Sequence, residues 1–388
     1  MVKKINYGEQ FIDKKDTISL VKASKQKLIT IGPKVKLFEK KISRYLNVKH
    51  SIVCNSGTSA IHLAFISINL KKNDIIIMPI INFISAYNMA KLFGAKIFLS
   101  DVDKLTGQMT PQLVQECIKK NNLKNIKAII TMYLGGYPEN IIEFFRLKKK
   151  LNCLIIEDSC HAFGATYKYK NKTFKVGSCK HADISTFSFH PIKPITTGEG
   201  GALTTNLNSI SNRALLARSH GIIRGNNHWA YDIKQFGMNY RISDINCALG
   251  VSQIKKINLF LQKRQIINLR YKKLISELDF KDCLKLPEYK KDNKSANHLF
   301  LANVNFKKLK KNKNDLFIFF KKREIFLQYH YIPINRFSFY KNKNLNSFKN
   351  SNLYYQNTIS LPIHYNLSYI QQKLVIETLK KFIDNNKI

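Results

Sequence analysis

The chain is rich in lysine, and one lysine stands in a setting built for chemistry rather than solvation. Lys193 lies between Pro191 and Pro194, behind the strand-like run Ile184, Thr186, Phe187 and ahead of Gly198, Gly200 and Gly201. The prolines restrict the backbone on both sides of the amine, and the glycines permit a tight turn after it. A lysine held rigidly among apolar residues loses part of its preference for the ammonium form and becomes a nucleophile suited to Schiff-base formation. Exposure to water is a sufficient account of most other lysines here.

A second candidate is Asp158, which closes the apolar run Cys153-Leu154-Ile155-Ile156-Glu157. A carboxylate at the end of a buried strand can pair with a pyridinium nitrogen and keep it protonated. Aspartate in this position also suits a helix N-cap. Asn55-Ser56-Gly57-Thr58-Ser59 is a small-residue turn entering a helix. Its free N–H groups and hydroxyls can receive a phosphate, although serine and threonine are ordinary caps as well. Ser188, shortly before Lys193, is a further phosphate candidate. Phe83, after Pro79-Ile80-Ile81-Asn82, can stack on a ring or simply fill a core. Asn239 sits in the polar turn Gly237-Met238-Asn239-Tyr240-Arg241. Together these are the parts of a pyridoxal 5'-phosphate site. Cys160-His161 and Cys179-Lys180-His181 lack the spacing of zinc ligands, so no metal site is expected. Neither a phosphate-binding loop with its lysine nor a dinucleotide glycine fingerprint is present.

These residues need a scaffold that brings them to one edge. Strand-like runs at 74–78, 96–99, 128–131 and 153–156 alternate with helical stretches at 85–93, 111–120 and 140–150. Such alternation implies a mostly parallel sheet covered on both faces, with its ligand beyond the carboxyl ends of the strands. A helix is expected from Pro33, with Val35, Phe38, Ile42, Tyr45 and Leu46 on one face. From Asn206 onward the chain reads as helical, with a long helix through Leu278. A small α+β unit with a strand near Asn297–Leu301 follows. The expected division is an extended, irregular arm over 1–32, a large domain over 33–250 and a smaller C-terminal domain over 251–388.

The 388 residues carry a formal net charge of +40. Lysines spread along the whole chain, interleaved with asparagine and isoleucine, point to a compositional bias on solvated positions. Neither a concentrated basic arm nor a helix-turn-helix is evident, so nucleic-acid binding is not expected. The excess still favours an anionic substrate. No apolar stretch is long enough to span a membrane, no signal-peptide core is seen, and the seven cysteines are scattered. A cytoplasmic protein with reduced thiols is expected.

The motifs together resemble the DegT/DnrJ/EryC1/StrS family of pyridoxal phosphate-dependent sugar aminotransferases. The resemblance rests on Asn55–Ala60, Glu157–Gly164, Phe187–Lys193 with Thr196–Gly201, and Gly237–Arg241. It runs from Tyr7 to Pro362. Arg218-Ser219-His220-Gly221, Asn297-His298-Leu299 and Gln328-Tyr329-His330-Tyr331 are similar to the subgroup that acts on UDP-linked 4-keto-6-deoxy-N-acetyl sugars of the L-altrose series in pseudaminic acid biosynthesis. His161 stands where the wider family commonly has glutamine, and agrees with that subgroup.

The resemblance implies an α/β fold of type I aminotransferases and a homodimer with shared active sites. It further implies that Lys193 forms the Schiff base, Asp158 pairs with the ring nitrogen and His161 lies near the ring hydroxyl. Phe83 would stack on the ring, and Gly57, Thr58 and Ser188 would hold the phosphate, with Asn239 reaching across from a second subunit. Tyr7, Lys27, Leu28, Ile29, Thr30, Gln328, Tyr329, His330 and Tyr331 would contact substrate, with glutamate as amino donor. Sugar 3-dehydratases of the same fold normally replace the lysine by histidine, so Lys193 argues against that activity. Other 3- or 4-keto-sugar aminotransferases remain as alternatives, and a non-catalytic DNA-binding regulator is the alternative of a different class.

Overall fold

The structure is a computed structural model that describes residues 4–227, 229–280, 282–340 and 348–388. Two helices open it, α1 (Lys14–Ser24) and α2 (Pro33–Leu46). In α2, Pro33 occupies the first turn, and Val35, Phe38, Ile42 and Leu46 form the buried stripe. The alternating part follows as β1 (His50–Cys54), α3 (Gly57–Ser67), β2 (Ile75–Pro79), α4 (Ser85–Leu92), β3 (Lys96–Ser100), α5 (Pro111–Lys120), β4 (Ile126–Met132), α6 (Ile141–Leu151) and β5 (Leu154–Asp158). A small hairpin, β6 (Thr166–Tyr169) and β7 (Lys172–Lys175), precedes β8 (Ile184–Ser188) and β9 (Gly201–Thr205).

The seven-stranded sheet has the order β1-β9-β8-β5-β4-β2-β3. Strands β8, β5, β4, β2 and β3 pair in parallel, and β9 alone runs against its neighbours. Continuous β-branched and aliphatic runs bury both faces, as a parallel sheet requires. The parallel strands end together at Pro79, Met132, Asp158 and Ser188, and the reversed β9 begins at the same edge. At that start a Cβ on Gly201 would lie 2.2 Å from the Ser56 carbonyl oxygen, so only glycine lets β9 pass beneath the turn into α3.

The chain continues through α7 (Asn208–Arg218), the hairpin β10 (Ile222–Arg224) and β11 (Tyr231–Ile233), then α8 (Asp244–Ile254) and α9 (Ile257–Glu277). A second sheet, β12 (Leu284–Lys285), β13 (Phe300–Val304) and β14 (Thr358–Leu361), is antiparallel and has the order β12-β13-β14. Helix α9, α10 (Lys313–Lys321) and α12 (Tyr369–Asn386) bury their apolar faces in a core shared with that sheet, and α11 (Lys349–Asn357) leads into β14.

Three expectations need correction. The first 32 residues are not irregular: α1 lies inside them. It escapes detection because its buried residues are Asp16 and Ala23 rather than an apolar stripe. Polar anchors hold it instead. Asp13 and Asp16 form a capping box, Lys256 pairs with Asp16 at 2.6 Å and Asp13 at 2.9 Å, and Ser19 donates to the Ala248 carbonyl. The stretch after Asn206 is not helical throughout, because β10 and β11 interrupt it with three residues each, too short to show a period. The strand expected at Asn297–Leu301 starts at Phe300, since Asn297 has a positive φ of 47°.

The loop between α1 and α2 is fixed from one side by Asp244, which is fully buried. Its carboxylate accepts from the N–H groups of Gly32 at 2.6 Å and Lys34 at 2.7 Å. Asp244→Ala leaves both donors without a partner and is expected to cost about 3 kcal/mol in equilibrium urea unfolding, with Asp244→Asn costing less.

Candidate active site

The strand ends enclose a cleft of about 530 Å³. Each element delivers its residue by ending. β5 terminates in Asp158, which is 2% exposed, and the following turn carries Cys160 and His161 into the cleft. β8 terminates in Ser188, and the turn back to β9 presents Lys193. The loop after β2 brings Asn82 and Phe83, and the N-terminus of α3 brings Ser56, Gly57 and Thr58. From the C-terminal unit come Gln328, Tyr329, His330 and Tyr331, and Tyr7 enters from the N-terminal segment. Lys193 and Asp158 therefore share one cleft, as do Gly57, Thr58, Phe83, His161 and Ser188.

Lys27–Thr30 and Asn239 do not line the chain's own cleft. Thr30 bridges to Ser243 and the Ile29 carbonyl accepts from the Asp244 N–H, while Leu28 and Ile29 point outward. Asn239 bridges to Ser219, and its carbonyl accepts from Asn55.

Charge in the cleft is set by exclusion of water. Burial lowers the affinity of the Lys193 amine for its proton, opposed by Cys160 and Asp158 and reinforced by the Arg264 cation. Burial raises the Asp158 pKa, opposed by the Cys160 contacts, by Lys193 and by the Asn82 amide. The Cys160 N–H donates to Asp158 Oδ1 at 3.2 Å. Neither Asp158 nor Lys193 forms a salt bridge among the described residues.

Burial also holds His161 well below the usual histidine range, with Lys193 and His330 adding to the effect. Its Nδ1 accepts from the Gly135 N–H at 3.4 Å, which leaves the ring proton on Nε2. That proton points at the Tyr331 hydroxyl, 2.8 Å away, so the phenol is free to donate into the cleft.

The residues fit a pyridoxal phosphate. Asp158 is a buried carboxylate without a cation in contact, and a protonated ring nitrogen supplies one. Phe83, 54% exposed, offers a bare aromatic face. A Cβ at Gly57 would lie 2.8 Å from the Ser188 Cβ, so glycine keeps the cradle between α3 and β8 open. The N–H groups at the start of α3 face that cradle with the Ser188 hydroxyl beside them.

The profile of the DegT/DnrJ/EryC1/StrS aminotransferase family matches residues 10–380. The chain belongs to that family. A UDP-4-amino-4,6-dideoxy-N-acetyl-beta-L-altrosamine transaminase of Campylobacter jejuni (strain 81-176) is 37% identical over 385 residues, 99% of this chain and 98% of the relative. The Helicobacter pylori transaminase of the same name is 32% identical over 393 residues, covering both chains fully. Among solved structures, Helicobacter pylori PseC, an aminotransferase involved in the biosynthesis of pseudoaminic acid, superposes with a TM-score of 0.87 at 31% identity. That match covers 99% of this chain and 100% of PseC. The PLP form of Spr1654 from Streptococcus pneumoniae has the same TM-score at 25% identity, covering 98% of this chain and 99% of that one. The protein is accordingly a pyridoxal phosphate-dependent aminotransferase, and the expected family, cofactor and α/β fold are met.

The sequence named Asn82 only as a neighbour of Phe83, Cys160 only as a rejected metal ligand and His298 only within a subgroup motif, and it did not single out Arg264. Asn82 and Cys160 directly adjoin residues already singled out. His298 packs against His161 with ring centroids 4.2 Å apart. Arg264 did leave a trace: a charge on the apolar stripe Phe260, Ile267, Tyr271 of α9.

His161 and His298 are pushed well below their ordinary values and His330 to about 3, burial being the first cause in each. In the unfolded chain these rings take up protons near pH 6.5, whereas the folded state resists. Stability conferred by the neutral rings is present above that value and is lost as the pH falls. Folding stability measured between pH 6.5 and 5 is expected to drop, by up to ~1.4 kcal/mol per pH unit for each histidine.

Proposed function

We propose that the protein transfers an amino group from glutamate to C4 of a UDP-linked 4-keto-6-deoxy-N-acetyl sugar of the L-altrose series, a step of pseudaminic acid biosynthesis. The observation that carries the chemistry is that Lys193 and Asp158 share one cleft, both desolvated and both without an ion partner among the described residues. The choice of sugar is supported by the names of relatives 32–37% identical across the whole chain.

Pyridoxal phosphate, when bound, supplies an aldehyde for amines to condense with and a ring that accepts electrons from the bond being broken. Lys193 would anchor it, and its Nζ would take the proton from the donor Cα. The amine is suited to this because burial keeps it from holding a proton tightly. In the second half of the reaction, after the keto acid has left, the same Nζ would deliver a proton to C4 of the sugar. Asp158 holds the proton on the ring nitrogen. His161 and Tyr331 would set the hydrogen bonding beside the ring hydroxyl, Phe83 would cover one ring face, and Gly57, Thr58 and Ser188 would bind the phosphate. Tyr7 and Gln328–Tyr331 orient the sugar at the mouth of the cleft.

The protein works as a homodimer in this reading, in the cytoplasm, with the partner subunit's Asn239 and the partner's Lys27, Leu28, Ile29 and Thr30 completing each site. This is consistent with their position outside the chain's own cleft. The same reading divides the chain into an arm (1–32), a cofactor-binding unit (33–250) and a smaller unit (251–388).

Lys193→Ala is expected to lower kcat by at least ~10²–10⁴-fold and to abolish borohydride trapping of the cofactor on the protein. Asp158→Asn retains trapping but loses turnover on the same scale. The assay offers UDP-linked 4-keto-6-deoxy sugars of the altro and gluco series with glutamate, and NMR reads the product configuration at C4. Preference for the gluco substrate would reassign the enzyme to a different amino-sugar route.

A further inference from the structure

Lys193 also lines a separate and much smaller cavity of about 20 Å³. Lys193 and Arg264 both line it, together with Glu9 and Thr196. Arg264 is itself buried, at 4% exposure, on the apolar face of α9. No carboxylate pairs with it among the described residues. Its guanidinium donates instead to four backbone carbonyls from three segments. Nη2 reaches the Ile192 carbonyl at 3.3 Å, one residue before the lysine. Nη1 reaches those of Asn297 and His298 at 3.3 Å each, and of Ile363 at 3.2 Å.

An ion pair would have been the ordinary way to bury a guanidinium. Carbonyl dipoles satisfy its donors but leave its charge standing. Burial lowers its own pKa only to about 10, so it remains a cation at neutral pH. That uncompensated charge acts on its surroundings: it disfavours protonation of Lys193, His298 and His364.

We propose that Arg264 is a positioning residue for Lys193: its planar fork ties the Lys193 turn to the C-terminal core, and its charge shares a cavity with the amine. The fork matters because four acceptors from three segments meet it in one place, which a lysine ammonium cannot reproduce. The charge matters because Lys193 must give up its proton readily between the two halves of the reaction. Other groups facing the amine are Asp158 and Cys160, which favour its proton, and His161, His190, Glu199, His330, Tyr7 and Tyr331 around the cleft. Glu9 shares the smaller cavity with it. Arg264 is the group that the structure adds on the cationic side without a counterion.

The inference rests on Lys193 being the residue that binds the cofactor, and borohydride trapping in the parent enzyme checks that separately. The test is a pH titration of the visible absorbance of the holoenzyme, without substrate, for the parent, Arg264→Gln and Arg264→Lys. In Arg264→Gln the proton affinity at the lysine–cofactor linkage is expected to rise roughly tenfold, moving the titration to higher pH. Arg264→Lys keeps the charge and should titrate within about twofold of the parent. It loses the fork, so its kcat should fall roughly tenfold with KM for the sugar unchanged. A folded Arg264→Gln enzyme that titrates like the parent overturns the proposal. Should Arg264→Gln not fold, an Arg264→Lys enzyme with the parental kcat overturns it.

Discussion

An amine and a carboxylate taken out of water would ordinarily find each other. Each pays a desolvation penalty of several kcal/mol, and contact is the readiest relief. Lys193 and Asp158 lie in one cleft without that contact, and the rest of the molecule can be understood as what keeps them apart. Asp158 is pinned at the end of β5 by the Cys160 N–H and held in place by strand pairing on both sides. Lys193 is carried by a turn with a proline on each flank and a guanidinium on the neighbouring carbonyl. Two groups so fixed store the attraction for a ring inserted between them. A pyridoxal phosphate would answer both, offering a ring nitrogen to the carboxylate and an aldehyde to the amine.

That separation depends on sheet topology. Parallel strands bring four chain ends to one edge, and each ends in or just before a residue that faces the cleft. A fully parallel sheet would have sent the chain away after β8 through a long crossover. Reversal of β9 instead returns it directly, so the connection can be a short, rigid turn holding Lys193. The geometry is tight enough that the start of β9 must be glycine beneath Ser56. The C-terminal sheet and its helices then supply the far wall, with Gln328 tied to Ser360 of β14.

Much of this was legible because it is local. Proline beside Lys193, glycine after it, and Asp158 closing an apolar run are statements about neighbours in sequence, and strand–helix alternation is a periodicity. What was not legible is made of distant partners. Helix α1 has no apolar stripe, and its anchors Gln253 and Lys256 come from the far end of the large core. Arg264 makes sense only when the four carbonyls it binds are brought together from 192, 297, 298 and 363. The three-residue strands β10 and β11 pair with each other and leave Tyr231 and Ile233 exposed, so no burial pattern betrayed them.

The loop between α1 and α2 bears on the pairing of subunits. Leu28, Ile29 and Ile31 are 58%, 47% and 62% exposed, an apolar run that a solitary chain would do better to bury. Ile31 also has a φ of 55°, a left-handed conformation that a β-branched residue adopts only under constraint. Backbone of this kind costs on the order of 1–3 kcal/mol and persists where surrounding contacts dictate it. Here the dictating contact is Asp244, whose carboxylate grips the chain on both sides of the adjoining Pro33. The buried aspartate satisfies two backbone donors of the loop, but the arrangement leaves the loop's apolar side chains outward. It is economical only if those side chains meet a surface beyond this chain, which supports a site completed by a second copy.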